Sequence, residues 1–174
     1  MPRFAAIDFE TASYGADSAC AVGVAIVERG RIVARLHERI RPPSREFVFT
    51  PIHGLTWDDV EAAPRFDAVW AGIARELKGV AFLAAHNAPF DKGVLGACCA
   101  TYGLAVPAPP FVCTVRLARA QWNIRPTKLP DVCRYLGIKL RHHEADSDAE
   151  ACARIVMAAQ EEGWRFRQQL RPAG

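Results

Sequence analysis

A chain of 174 residues, 51% apolar and 24% charged, has the composition of an ordinary globular protein, with room for one real core and not two comfortable ones. Its net charge of +3 is too mild to identify a partner. The six cysteines (Cys20, Cys98, Cys99, Cys113, Cys133 and Cys152) form no CxxC pair and lie mostly in apolar helical or strand patterns. That argues against a disulfide framework and for reduced, buried thiols in a cytoplasmic protein. No charged cluster precedes an apolar leader segment and no apolar run approaches a membrane span, so no membrane partner is expected.

Phe4 to Phe9 is a nearly all-apolar run, which predicts a strand buried on both faces. Ala19 to Val27 continues with Cys20, Val22, Val24 and Ile26 on one side and small residues on the other. After the compact Glu28-Arg29-Gly30 turn, Arg31 to Ile40 alternates, with Ile32, Ala34, Leu36 and Ile40 facing one way. These three segments predict an antiparallel meander. Pro42, Pro43 and Pro51 predict a loop, and Thr56 followed by Asp59 a capping box that opens a short helix. The spacing of Phe66, Val69, Trp70, Ile73 and Leu77 predicts an amphipathic helix that ends at Gly79. Val80 to Ala85 reads as another buried strand. A helix marked by Phe90, Val94, Leu95, Cys98 and Tyr102 follows and closes at Gly103.

Beyond a proline-rich loop come a short strand at Phe111 to Thr114, a helix from Val115, and a helix marked by Leu129, Val132, Cys133 and Leu136. A last long helix spans about Ala145 to Glu162. No repeat or linker divides the chain, so 1–174 is expected to be a single domain with its core over about 4–162. In the short C-terminal tail, Trp164-Arg165-Phe166-Arg167 either docks a partner or packs and frays. The order of elements predicts an α/β fold: a mixed sheet, three-stranded antiparallel meander plus parallel strands, flanked by helices. This is the outline of a ribonuclease-H-like fold, with a strand order that pattern alone does not give.

Three apolar segments each carry acid that is costly to desolvate without a cation. Asp8 and Glu10 lie two apart on a strand, so their side chains leave the same face. They repel unless a cation lies between them; otherwise Asp8 is a strand-end residue and Glu10 faces water. Asp91 follows a buried strand by a short loop, where α/β sites gather, or is simply an acid favoured by a helix N-terminus. Asp148 falls on the helical stripe of Cys152, Ile155 and Ala159, opposite Glu150, Arg154 and Glu161. It needs a partner there, either a metal or an arginine. A site made mostly of carboxylates suits Mg²⁺ or Mn²⁺ better than zinc, and no paired Cys/His spacing accompanies the histidines.

Asp8-Phe9-Glu10-Thr11, His86-Asn87-Ala88-Pro89-Phe90-Asp91 and the His143-x-Ala145-x-x-Asp148 pattern together resemble the three motifs of the DnaQ-like, or DEDDh, 3′–5′ exonucleases. The likeness runs from Phe4 to about Met157, and Ile52-His53-Gly54-Leu55-Thr56 is similar to the family's loop after the meander. By that resemblance Asp8, Glu10, Asp91 and Asp148 bind two divalent cations and His143 is the general base. Thr11, Leu55, Asn87 and Phe90 match positions near the 3′-terminal nucleotide. Residue chemistry alone would allow either His142 or His143 as base; the family spacing selects His143. Asp146 departs from the pattern, since family members often carry an apolar residue there.

Between Val112 and His143 stand Arg116, Arg119, Arg125, Lys128, Arg134, Lys139 and Arg141 against one acid, Asp131. Such a stretch beside an active site could hold a polynucleotide backbone; it could equally be a solvated face. Arg125 and Lys128 are selected because they lie in a loop able to reach the cleft. The expected activity is removal of nucleoside monophosphates from 3′ ends of single-stranded nucleic acid, DNA ahead of RNA, in possible association with a DNA polymerase. The alternatives are an exoribonuclease of the RNase T or oligoribonuclease kind and a non-catalytic nucleic-acid-binding polymerase accessory.

Overall fold

The computed structural model describes residues 1–166. Strands β1 (Phe4–Thr11), β2 (Ala19–Glu28) and β3 (Arg31–Arg39) form the antiparallel meander. Strands β4 (Leu83–Ala85) and β5 (Phe111–Cys113) add to it in parallel, giving the order β3-β2-β1-β4-β5. β1 is thus paired along both edges, and helices on both faces of the sheet account for its run of buried residues. The expected mixed sheet is the observed one.

Alternation along β1 sorts its side chains between two cores. Ala5, Ile7 and Phe9 face a layer made by α3 (Phe66–Glu76) and α4 (Ala88–Thr101), which supply Phe66, Trp70, Ile73, Val94 and Leu95. Phe4 and Ala6 face the other layer, made by α5 (Thr114–Trp122), α6 (Leu129–Leu136) and α7 (Ala145–Glu161). Asp8 and Glu10 share the parity of Phe4 and Ala6 and therefore project on the α7 side of the sheet. On β2 the small residues Ala21, Gly23 and Ala25 occupy the same side. At Gly23, partner of Asp8 in the ladder, an added Cβ would overlap the Ala145 carbonyl. The first turn of α7 thus rests directly on the sheet, one strand away from the acids.

Two local expectations change. The stretch around Pro51 contains a single helical turn, α1 (Thr50–His53), where a loop is expected; Pro51 occupies its first turn, where the missing N–H removes no helical bond. β4 starts at Leu83 rather than Val80, because Val80 N–H bonds Leu77 O in the turn closing α3. The short helix α2 (Trp57–Val60) opens as expected, with the Asp59 carboxylate accepting from both the N–H and the hydroxyl of Thr56 at 2.8 Å. After α7 the chain turns back: Trp164 meets Phe82 edge-on at 6.1 Å and Phe166 stacks on Phe82 at 4.4 Å. Those residues pack on the core, while Arg167 and the rest of the tail lie outside the described residues. Among the described residues, no helix is long and apolar enough to cross a membrane.

Candidate active site

Asp8 and Glu10 leave β1 side by side, and Asp148 reaches them from the first turn of α7. One carboxylate oxygen from each lies within 4.8 Å of the others. Asp91 comes from the opposite direction. Asn87 adopts a left-handed backbone (φ +64°) between β4 and α4, so the helix starts abruptly behind the strand end. This turns Asp91 inward, 1% exposed, where its Oδ1 accepts the Phe9 N–H at 3.0 Å. Among the described residues Asp148 has no arginine partner; Arg35 and Arg154 pair with Glu150 instead. Its Oδ2 accepts from the His143 N–H at 3.1 Å and lies 2.9 Å from His142 Nδ1. Its Oδ1 is buried without a hydrogen-bond partner.

All four acids hold their protons above the usual carboxylate range, and Asp8, Glu10 and Asp91 do so well above it. Burial is the main cause throughout. It raises Asp8 strongly, helped by the charges of Asp91, Asp148 and Glu10. It carries Glu10 to about 8, with Asp148 and Asp91 adding to the rise. Asp91 reaches about 7 although the Phe9 N–H opposes the shift, and Asp148 rises although His142 and the His143 N–H oppose it. Charges forced together in this way, with one buried oxygen unpartnered, fit a divalent cation. The donor set is oxygen only, as Mg²⁺ and Mn²⁺ prefer. Asp8, Glu10 and Asp148, with Asp91 behind them, could hold such an ion.

His142 and His143 stack at 3.8 Å between ring centroids beside Asp148. His143 has a left-handed backbone (φ +68°), a conformation uncommon for residues other than glycine although histidine tolerates it better than most. Burial, then the neighbouring His142, lowers its pKa, which keeps the ring neutral near pH 7. Asp146 turns toward His37 and Arg141 rather than toward His143.

Two cavities flank the acids. The larger, about 630 Å³, is lined by Asp8 and Asp148 together with His86, Asn87 and His142 and the basic residues Arg119, Arg125 and Lys128. The smaller, about 220 Å³, is a slot lined by Phe9, Glu10, Thr11, Phe49, Ile52, His53 and Phe90. Of the seven basic residues in the 112–143 stretch, Arg119, Arg125 and Lys128 therefore reach the cleft. Arg134 pairs with Asp131 and Arg141 with Glu144. Leu55 is half-buried against the small cluster of Ala12, Cys20 and Val60 and lines neither cavity.

Two further histidines brace these walls, and loop composition alone did not mark them. His86 is kept neutral chiefly by burial. Its Nε2–H donates to Thr127 O at 2.9 Å, and its Nδ1 accepts from the Thr114 hydroxyl at 2.8 Å. Arg119 Nε donates to Thr127 Oγ1 at 2.9 Å, so the loop carrying Arg125 and Lys128 is tied down at Thr127. His53 does the same for the slot: Nε2–H donates to Thr11 O at 3.0 Å and Nδ1 accepts the Leu55 N–H at 3.1 Å.

Residues 5–156 match the RNase T exonuclease family. The PolC-type DNA polymerase III of Clostridium perfringens is 30% identical over 159 residues, 88% of this chain and 11% of that protein. Its Bacillus cereus counterpart is 29% identical over 177 residues, 96% of this chain and 12% of the relative. The chain thus spans about a tenth of the length of these curated relatives. Among solved structures, Exonuclease X in complex with 5′ overhanging duplex DNA superposes with a TM-score of 0.74 at 22% identity, covering 95% of this chain and 96% of that one. The nuclease domain of 3′hExo, a DEDDh family member bound to rAMP, gives 0.80 at 20% identity and covers 93% of each chain. The fold is theirs, and with the family match spanning most of its length, the chain belongs to the RNase T exonuclease family.

Proposed function

We propose that the protein is a 3′–5′ exonuclease that hydrolyses the terminal phosphodiester bond of single-stranded DNA, releasing nucleoside monophosphates with two divalent cations, Mg²⁺ or Mn²⁺. The observation that carries the reading is the convergence of Asp8, Glu10 and Asp148 within 4.8 Å, with Asp91 behind them and Asp148 Oδ1 unpartnered. The ions held there would supply an activated water and neutralise charge at the leaving oxygen. His143, neutral and adjacent to Asp148, takes the proton from the attacking water. Thr11 and Phe90 frame the slot proposed for the terminal nucleotide, and Leu55 supports it from behind through its bond to His53. Asn87, Arg125 and Lys128 line the wider cleft, where they meet the strand's phosphates.

DNA is favoured because the relatives near 30% identity are DNA polymerases. The same relatives support a DNA polymerase as partner. The six unpaired thiols support a reducing, cytoplasmic setting for a single exonuclease domain. RNA is the second substrate to test, because one structural neighbour carries rAMP. Incubation of 5′-labelled single-stranded DNA and RNA with Mg²⁺ tests the reading. A ladder shortening from the 3′ end, faster on DNA, is expected. An uncut strand that shifts on a native gel would make the protein a binding module instead.

A further inference from the structure

Asp148 must present one oxygen to Asp8 and Glu10, yet a carboxylate on a helix turn can rotate about its last two torsions. The structure shows what stops it. Oδ2 lies 2.9 Å from His142 Nδ1 and receives the His143 backbone N–H at 3.1 Å, while Oδ1 has no partner. An ionised carboxylate only accepts, so Nδ1 is the protonated nitrogen of His142. Both donors sit on the same oxygen, and the opposite oxygen is left for the cation. The Asp148 side chain is only 4% exposed and that of His142 37%, so the hydrogen bond is made at the rim of the cleft with the acid beneath it. The chain turns in a left-handed conformation at His143 (φ +68°), between these donors and the helix that carries Asp148.

We infer that His142 is a positioning residue for the metal site: it fixes the Asp148 carboxylate with Oδ1 toward Asp8 and Glu10, and through ring stacking it also holds His143 in place. A hydrogen-bonded partner of this kind changes metal affinity by about 10- to 100-fold when removed. The inference rests on the proposed metal site, and the experiment separates the two. Mn²⁺ binding to the full chain is titrated by the EPR signal of the free ion for the wild type, His142→Ala and His142→Asn, and kcat and KM are measured on a single-stranded oligonucleotide. Asparagine places an N–H donor close to the position of Nδ1.

His142→Ala is expected to bind Mn²⁺ at least tenfold more weakly and to lose kcat at limiting Mn²⁺ with KM for the strand unchanged. His142→Asn is expected to recover Mn²⁺ binding to within about threefold, a recovery that loss of mere packing would not give. A wild type that binds no Mn²⁺ would overturn the site itself. If the wild type binds it and His142→Ala binds it equally well, only the positioning role fails. Equal rate losses in both variants with unchanged Mn²⁺ affinity would also overturn that role and make His142 the proton acceptor.

Discussion

Raising the pH without divalent metal is expected to loosen the fold, and Mn²⁺ to restore it. Glu10 is pushed up to about 8 and Asp91 to about 7, in both cases mainly by burial. Asp8 lies well above its ordinary value for the same reason. A folded-state pKa above the unfolded one means that the native protein holds the extra proton. The associated stability is complete below the unfolded pKa and is lost as pH rises through the folded value. His53, His86 and His143, all lowered, act in the opposite sense, but their contribution is complete above their ordinary 6.5. Glu150, pulled down to about 2 chiefly by Arg35, is lost only in acid. The five buried thiols that are raised, Cys20, Cys98, Cys99, Cys133 and Cys152, lose their contribution mainly near and above their ordinary 9.0, so the window from pH 6.5 to 8 chiefly reports the site. Across it Glu10 alone gives up about 1.5 pH units, roughly 2 kcal/mol, which for a chain of this size is about 4–8 °C in Tm. Thermal melts in chelator and in saturating Mn²⁺ at both pH values read this directly. The metal-free Tm should fall, and the gain from Mn²⁺ should be larger at pH 8. Asp8→Ala and Asp148→Ala should each lose that gain and nearly all turnover while staying folded. A metal-free Tm flat across the window, or a Mn²⁺ gain kept in either variant, would refute the reasoning.

His143→Ala is expected to lower kcat about 10²- to 10⁴-fold at saturating Mg²⁺ with Mn²⁺ binding retained, which single-turnover rates and a metal titration check together. Gly23→Ala places a methyl where the Ala145 carbonyl now lies. It should cost about 1–3 kcal/mol by denaturant titration and more than tenfold in kcat as α7 lifts Asp148 away from Asp8. Arg125→Ala and Lys128→Ala should raise KM for a single strand without changing kcat. Each should also reduce the slope of log affinity against log salt by somewhat less than one, measured by fluorescence anisotropy.

The acids were legible because they violate the chemistry of their surroundings. Asp8 interrupts an apolar strand, and Asp148 shares a helix stripe with Cys152, Ile155 and Ala159, all three of them buried. Their periodicity gave the face each occupies, and the parity of β1 places Asp8 and Glu10 with Phe4 and Ala6 against α7. What periodicity cannot give is distance. The approach of α7 to β2 depends on a side chain that is missing at Gly23, and its only trace in the sequence is a glycine inside an otherwise regular strand. The bracing of the walls was hidden for a different reason. His53 and His86 bond backbone carbonyls 42 and 41 residues away in sequence, Thr11 and Thr127, and no local pattern encodes such a pairing.

His142 and His143 set the limit most clearly. They are the same residue type, adjacent, before the same helix, so spacing separates them only through family likeness. In the fold they divide by which group faces Asp148: a ring nitrogen from His142 and a backbone N–H from His143. Between them and Asp148 lies the left-handed turn at His143, a conformation that a histidine in the sequence does not announce. Two donors on one oxygen and none on the other make Asp148 a directed ligand rather than a buried acid. His143 meets that acid through its backbone alone, so its lowered ring pKa is the property that the proposed base role draws on.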